Sequence, residues 1–210
     1  MKAAVLEELS WEPSVAAAHI GVTARAGVVT LTGNVRSYAE KHAAERAAQR
    51  VKGVKAVAEE VEVRLPFEFR RRDEEIAAAA VGQLAWDAMV PSDLIGVKVE
   101  EGVVTLTGEV EWHFQKEAAE GDVRRLVGVT HVNNMLTIKP QVNALTISDD
   151  IQHALHRSWF FDPELVQVSA RNGKVELTGS VRSLHDRQIA ANTAWSARGA
   201  TWVENKITVN

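Results

Sequence analysis

Apolar and polar positions along the chain follow two rhythms that recur in a fixed order. The pattern is clearest in the last third. Ile151, Ala154 and Leu155 fall at helical spacing after Ser148-Asp149-Asp150, which suits a helix start. Val166, Val168 and Ala170 then alternate with polar residues, as do Val175 and Leu177, so two strands are predicted. Between them lies Asn172-Gly173, a strong tight-hairpin signal. Ser183 with Asp186 three residues on reads as an N-cap, and so does Ser37 with Glu40. A second helix follows, rich in alanine in the first third of the chain (Ala43, Ala44, Ala47, Ala48). A strand closes the unit, with Val203, Asn205, Ile207 and Val209 at period two.

The same order appears three times. Gly27 to Gly33, Gly102 to Gly108 and Gly173 to Gly179 are near-copies, offset by 75 and 71 residues. Another glycine follows each by 20 residues: Gly53, Gly128 and Gly199, placed where a helix end needs positive φ. Together with Gly33, Gly108 and Gly179 these are the structural glycines of the repeat. The predicted fold is α+β: three tandem α-β-β-α-β modules, each a small three-stranded sheet with two helices on one face. The expected boundaries are 1–66, 72–140 and 146–210. Module one lacks the equivalent of the first helical turn, because Ile76 aligns with Met1. Either residues precede Met1 in the native product or that helix begins frayed. A module of this size is only marginally able to stabilise itself, so stacking of modules is expected. Phe67 and Phe69, in a short linker, are expected to pack between domains.

Composition narrows the function classes. The 210 residues are 46% hydrophobic and 25% charged, which is ordinary for a globular protein. A net charge of −4 gives no broad basic face, so a generic nucleic-acid binder is excluded. There is no cysteine, hence no disulfide, thiol nucleophile or cysteine metal site. No apolar run approaches the length of a membrane-spanning helix. The apolar stretch after Met1 is too short for a secretory signal. As written, a cytoplasmic location is expected, or a periplasmic one if a leading signal has been removed.

The Val-x-Leu-x-Gly strands (Val29 to Gly33, Val104 to Gly108, Val175 to Gly179), the later glycines and the closing Val-x-Asn strands (Val132 to Leu136, Val203 to Ile207) resemble the BON domain. This domain takes its name from bacterial osmotically inducible and nodulation proteins and is also called transport-associated. Module one departs from the pattern, with Glu59 where the others have Asn134 and Asn205. The resemblance covers nearly the whole chain. It implies an α-β-β-α-β fold and a non-enzymatic role, with phospholipid or envelope components as ligands, often under osmotic stress. It brings no catalytic residue and no cofactor.

The residues themselves offer little catalytic chemistry. His153 and His156 lie three apart on a predicted helix, but no further ligands are suitably spaced for zinc. His185-Asp186 suits a capping role. No phosphate-binding glycine loop is present.

Differences between the copies are more informative. Trp11 and Trp86 share one position and are expected, with Trp159, to pack in the core or at helix ends. Trp112 stands where the other copies have Ser37 and Ser183, and Phe114 where they have Ala39 and His185. A tryptophan is a poor N-cap. Trp195 and Trp202 also replace polar or small residues, and local or inter-domain packing is expected for them. The candidate contact site for a lipid or partner is therefore Trp112 and Phe114, with Arg70, Arg71 and Arg72 as phosphate contacts. Packing of Trp112 and Phe114 on a neighbouring module is the alternative. Residues 70–141 carry 8 basic and 12 acidic groups, so electrostatic attraction to an anionic membrane is expected to be weak. Two functions remain: peripheral binding to phospholipid or another envelope component, or a protein-interaction and stress-protective scaffold, with self-association open.

Overall fold

A computed structural model describes residues 1–140, 147–157 and 165–210. Module one runs α1 (Lys2–Trp11), β1 (Ile20–Arg25), β2 (Val28–Val35), α2 (Tyr38–Arg50) and β3 (Ala56–Val63). Module two runs α3 (Asp73–Trp86), β4 (Ile95–Glu100), β5 (Val103–Val110), α4 (His113–Arg124), β6 (His131–Asn134) and β7 (Thr137–Ile138). Module three runs α5 (Ile147–His156), β8 (Val166–Arg171), β9 (Lys174–Val181), α6 (Leu184–Trp195), β10 (Trp202–Asn205) and β11 (Thr208–Val209). The α5 helix includes Ile147 and the Ser148-Asp149-Asp150 stretch, which is its first turn rather than its preface.

In each sheet the second strand is central. β1 pairs with β2 antiparallel, through a two-residue turn in which Ala26 and Gly27 both have positive φ. β3 returns through α2 and pairs with β2 in parallel, the geometry a helical crossover allows. One face of the sheet buries Ile20, Val22, Val29, Leu31 and Val35 against Val5 and Leu9 of α1 and Ala44, Ala47 and Ala48 of α2. Small alanines let α2 lie close to the strands. Gly33, Gly108 and Gly179 have φ between 115 and 134°. A Cβ at Gly108 would run into the Leu94 carbonyl, so the strand can pass only with glycine.

The closing strand differs between modules for a reason legible in one residue. In module two it is interrupted between β6 and β7, although both keep the same register on β5. Asn134 Oδ1 accepts the Leu136 N–H at 3.3 Å, and Asn134 Nδ2 donates to the Lys116 carbonyl at 2.9 Å. Asn205 repeats both bonds with Ile207 and Arg187. Module one has Glu59 instead, and β3 continues unbroken. A basic residue on each second helix supports this strand. Lys41, Lys116 and Arg187 donate to the carbonyls of Val61, Leu136 and Asn205.

The three modules close on one another through a single repeated position, the first residue of each second helix. Tyr38 packs against the core of module two, its ring edge-on to His131 at 5.3 Å. His113 stacks flat on Trp195 of module three, with ring centres 4.1 Å apart and planes 8° apart. Leu184 packs against the core of module one. First meets second, second meets third and third meets first, so α2, α4 and α6 converge.

Replacing Gly108 with alanine is expected to destabilise the protein by about 1–3 kcal/mol, the cost of a strained backbone position with a clash added. Urea unfolding followed by circular dichroism checks this, with exposed Gly82→Ala on α3 as the control, where no heavy atom lies within 4 Å of a new Cβ.

Candidate functional site

The start of each second helix is aimed by its cap. Ser37 accepts the Glu40 N–H at 3.1 Å, and Ser183 accepts that of Asp186 at the same distance. Glu40 in turn accepts the N–H groups of Arg36 and Ala16, both at 2.8 Å, tying α2 to the loop after α1. Trp112 has no oxygen to offer, so Gln115 alone closes the start of α4, accepting from Glu111 and Trp112 at 3.0 Å. These caps fix the direction in which Tyr38, His113 and Leu184 leave the helix.

Where the three helices converge lies a polar cleft of about 460 Å³. It is lined by His42, Glu45, Arg46, Gln49 and Arg50 of α2, Glu117, Glu120 and Arg124 of α4, and His185, Gln188 and Asn192 of α6. Arg50 is held by Glu8 and Glu12 at 2.7 and 3.1 Å, and Arg124 lies 3.8 Å from Glu120. Burial lowers the His42 pKa to about 4, helped by the Arg124 and Arg46 guanidinium groups and opposed by Glu120. Burial also lowers His113 to about 4, with Lys116 adding to the effect. Both imidazoles are neutral near pH 7. Burial, reinforced by Glu120, raises the Glu117 pKa, and Arg46 and Arg124 oppose that rise.

Beside this cleft, sharing Glu117 and Asn192 with it, is an apolar pocket of about 310 Å³ between α4 and α6. Trp112, His113, Phe114, Trp195 and Ser196 complete its lining. The structure therefore brings Trp112 and Phe114 together, with ring centres 6.5 Å apart. It adds Trp195, whose packing between modules matches expectation. Trp112 is half-buried and Arg198 of module three stands 5.9 Å over its ring; Phe114 is 47% exposed.

The arginines are elsewhere. Asp73, next to Arg72, bonds the Glu101 and Gly102 N–H groups at the start of β5, whereas Trp112 follows its end. The two are separated by the length of β5, about 25 Å. Arg70, Arg71 and Arg72 thus form no joint site with Trp112 and Phe114. Arg72 pairs with Glu74 and Glu75, and Arg71 donates to the Glu68 and Arg70 carbonyls.

Three expectations about aromatic residues are corrected. Trp11 and Trp86 are 84% and 88% exposed, not packed. Each lies two residues beyond a buried leucine, Leu9 or Leu84, about 200° round the helix from the core. Trp202 is 59% exposed, because it points away from the core on β10 while Val203 points in. Phe67 is 86% exposed; Phe69 alone is half-buried, under Arg36 at 5.9 Å. Trp159 and the His156 side chain lie outside the described residues. No described helix is long and apolar enough to cross a membrane. Among the described residues, no group of three or more His, Asp or Glu side chains is placed to hold a metal ion.

The family model described as "BON domain" matches residues 1–64, 72–140 and 143–210. Among curated proteins the chain is similar to osmotically-inducible protein Y of Escherichia coli (strain K12), with 34% identity over 116 residues. That match covers 53% of this chain and 58% of the relative, so the chain spans under two thirds of the relative's length. Two solved structures of CdsD, a structural protein of the type III secretion system of Chlamydia trachomatis, match 99% of this chain. The match covers 91% and 96% of theirs, at 17% identity and a TM-score of 0.28, a level at which overall arrangements are not alike.

The neutral histidines give the junction a pH dependence. Separated modules would titrate these groups near the ordinary 6.5, and the closed arrangement only near 4. Separated modules therefore bind more protons in this window, and stability falls as pH drops from about 6.5 towards 4. Thermal unfolding at a series of pH values is expected to show this decline. His113→Phe, which keeps a flat ring against Trp195, combined with His42→Gln is expected to flatten it.

Proposed function

The chain belongs to the BON domain family, in three tandem copies, and from that premise we propose a non-catalytic protein that docks peripherally on a phospholipid surface of the cell envelope. The indole rings at the ends of its first helices make the contact. The observation that carries this reading is the exposure of Trp11 and Trp86, one position in two modules, at more than four fifths of their surface. A residue kept at the same place and left in water serves something other than the core. Leu6 and Val81, also equivalent, are exposed on the same helices, and Met89 and Leu94 are exposed in module two. Indole prefers the boundary between headgroups and acyl chains, where ring and N–H are both satisfied. The similarity to an osmotically inducible protein supports a stress-linked role.

Charge selects the kind of surface. Near Trp11 in sequence, Glu8 and Glu12 are paired with Arg50 and Glu7 adds a further acid, and Asp87 and Asp93 follow Trp86. These acids disfavour an anionic membrane and suit a zwitterionic one. They also favour a second reading, a protein partner that offers basic residues around an apolar patch.

Co-sedimentation with phosphatidylcholine vesicles tests the proposal. Binding is expected to be little changed by salt and no stronger on anionic vesicles. Trp11→Ser with Trp86→Ser is expected to weaken it by about tenfold or more, since burying an aromatic side chain is worth about 1.5–3 kcal/mol. Undiminished binding by the double variant would remove these rings as anchors. Absence of wild-type binding to every vesicle would leave the protein-partner reading.

A further inference from the structure

We propose that the pocket between α4 and α6 is a binding site for a compact organic cation of the quaternary ammonium class. The inference stands apart from the membrane reading, because it rests on other residues and needs no vesicle.

The three joints between modules are equivalent by the repeat, so two of them serve as internal controls for the third. The positions of Asn192, Trp195 and Ser196 are held by Arg46, Gln49 and Arg50 in module one, and by Gly121, Arg124 and Arg125 in module two. Two arginines occur in each of those sets and none in module three. Across the joint, Trp112, Phe114 and Glu117 replace Ser37, Ala39 and His42 of module one, and Ser183, His185 and Gln188 of module three. At these positions one joint of three has thus lost the arginines of the helix end, keeping only Arg198 beyond it, and gained three aromatic rings and a carboxylate. Closure does not require this change, since the other joints close without it.

The geometry fits a cation. Trp112 and Phe114, with ring centres 6.5 Å apart, and Trp195 of the neighbouring module, one face of which is covered by His113, all line the pocket of about 310 Å³. Ring faces attract cations, and quaternary ammonium groups are recognised by aromatic walls of this kind. The protein already seats a cation on one of these rings, Arg198 over Trp112 at 5.9 Å. Glu117 supplies a carboxylate; burial and Glu120 raise its pKa and so oppose its negative charge, which a bound cation would favour. Its neighbour His113 lies 3.8 Å away but is kept neutral by burial, so it does not cancel that charge. Arg46 and Arg124 act on Glu117 from a distance, and neither forms an ion pair with it among the described residues. A trimethylammonium group carries no N–H and is more weakly hydrated than a primary ammonium, so it asks for no hydrogen-bond acceptors from the pocket.

Two sources share this chemistry, a free quaternary amine and the headgroup of a choline lipid. Calorimetric titration of the full chain with choline chloride and with glycine betaine tests the site, with Trp fluorescence as a second readout. Neopentyl carbinol, the uncharged carbon isostere of choline, is the control. The expected results are saturable choline binding, at least tenfold weaker binding of the isostere, and about tenfold loss on Glu117→Gln. Trp195→Gln, the residue module one carries at that position, is expected to abolish binding, with circular dichroism confirming the fold. Equal binding of choline and its isostere, or no effect of either substitution, would overturn the proposal, as would the absence of a choline signal in the wild type. Phosphatidylcholine vesicles separate the sources: if the headgroup is the ligand, vesicles compete with choline. Trp11→Ser with Trp86→Ser is expected to leave choline binding intact. A wild type that binds choline but docks on no vesicle therefore sinks the membrane reading alone, and a wild type that docks but gives no choline signal sinks this one alone.

Discussion

The architecture depends on one contact made three times: the residue after each second-helix cap is driven into the neighbouring module. Tyr38, His113 and Leu184 share no chemistry beyond a flat or apolar side chain, yet each covers the edge of the next core. A module of this size buries too little surface for much stability of its own. Three head-to-tail contacts close on themselves, as a heterologous interface does when its rotation completes a ring. Here one chain supplies all the copies. The caps matter because they aim the contact residue, and the closing strand matters because His131, the partner of Tyr38, stands at its start.

Local order was legible in the sequence. Alternation located the strands, and Ser37 and Ser183 marked helix starts; Gly53, Gly128 and Gly199 do adopt positive φ, but in the turn beyond the second helices, whose C-caps are Val51, Arg125 and Ser196. Even the departure at Glu59 had a local meaning, an unbroken β3 where an asparagine would take a ladder N–H for itself. Closure was not legible. Its contact residues differ in type at every joint, and their partners, His131 and Trp195, sit at unrelated positions of the repeat. No periodicity marks such a pair. An apolar residue directly after a serine cap, Tyr38 or Leu184, was the available signal; it is weak by itself and absent at His113, which follows Trp112.

The candidate site shows where comparison of copies succeeds and where it misleads. Trp112 and Phe114 stood out because the other copies lack them, and the structure gathers them with Trp195 around one pocket. Charge alone makes Arg70, Arg71 and Arg72 companions for them, but β5 holds the arginines at its far end. Trp11 and Trp86 were misjudged because repetition was taken as a demand of the core. Counting from Leu9 and Leu84 places both indoles on the outer side of their helices.

Burial separates the two meanings of repetition. Leu31, Leu106 and Leu177 recur and are buried, so the fold accounts for them completely. Trp11 and Trp86 recur and are exposed, so burial in the core does not account for them. The aromatic joint is the reverse case, unique to one place and half-buried. The polar cleft beside it balances guanidinium groups against carboxylates and keeps His42 neutral, a neutrality maintained by packing rather than by composition. Three equivalent joints give a chain two that preserve closure and a third free to diverge. A departure from the repeat at such a joint is therefore a better guide to ligand chemistry than any feature all three modules share.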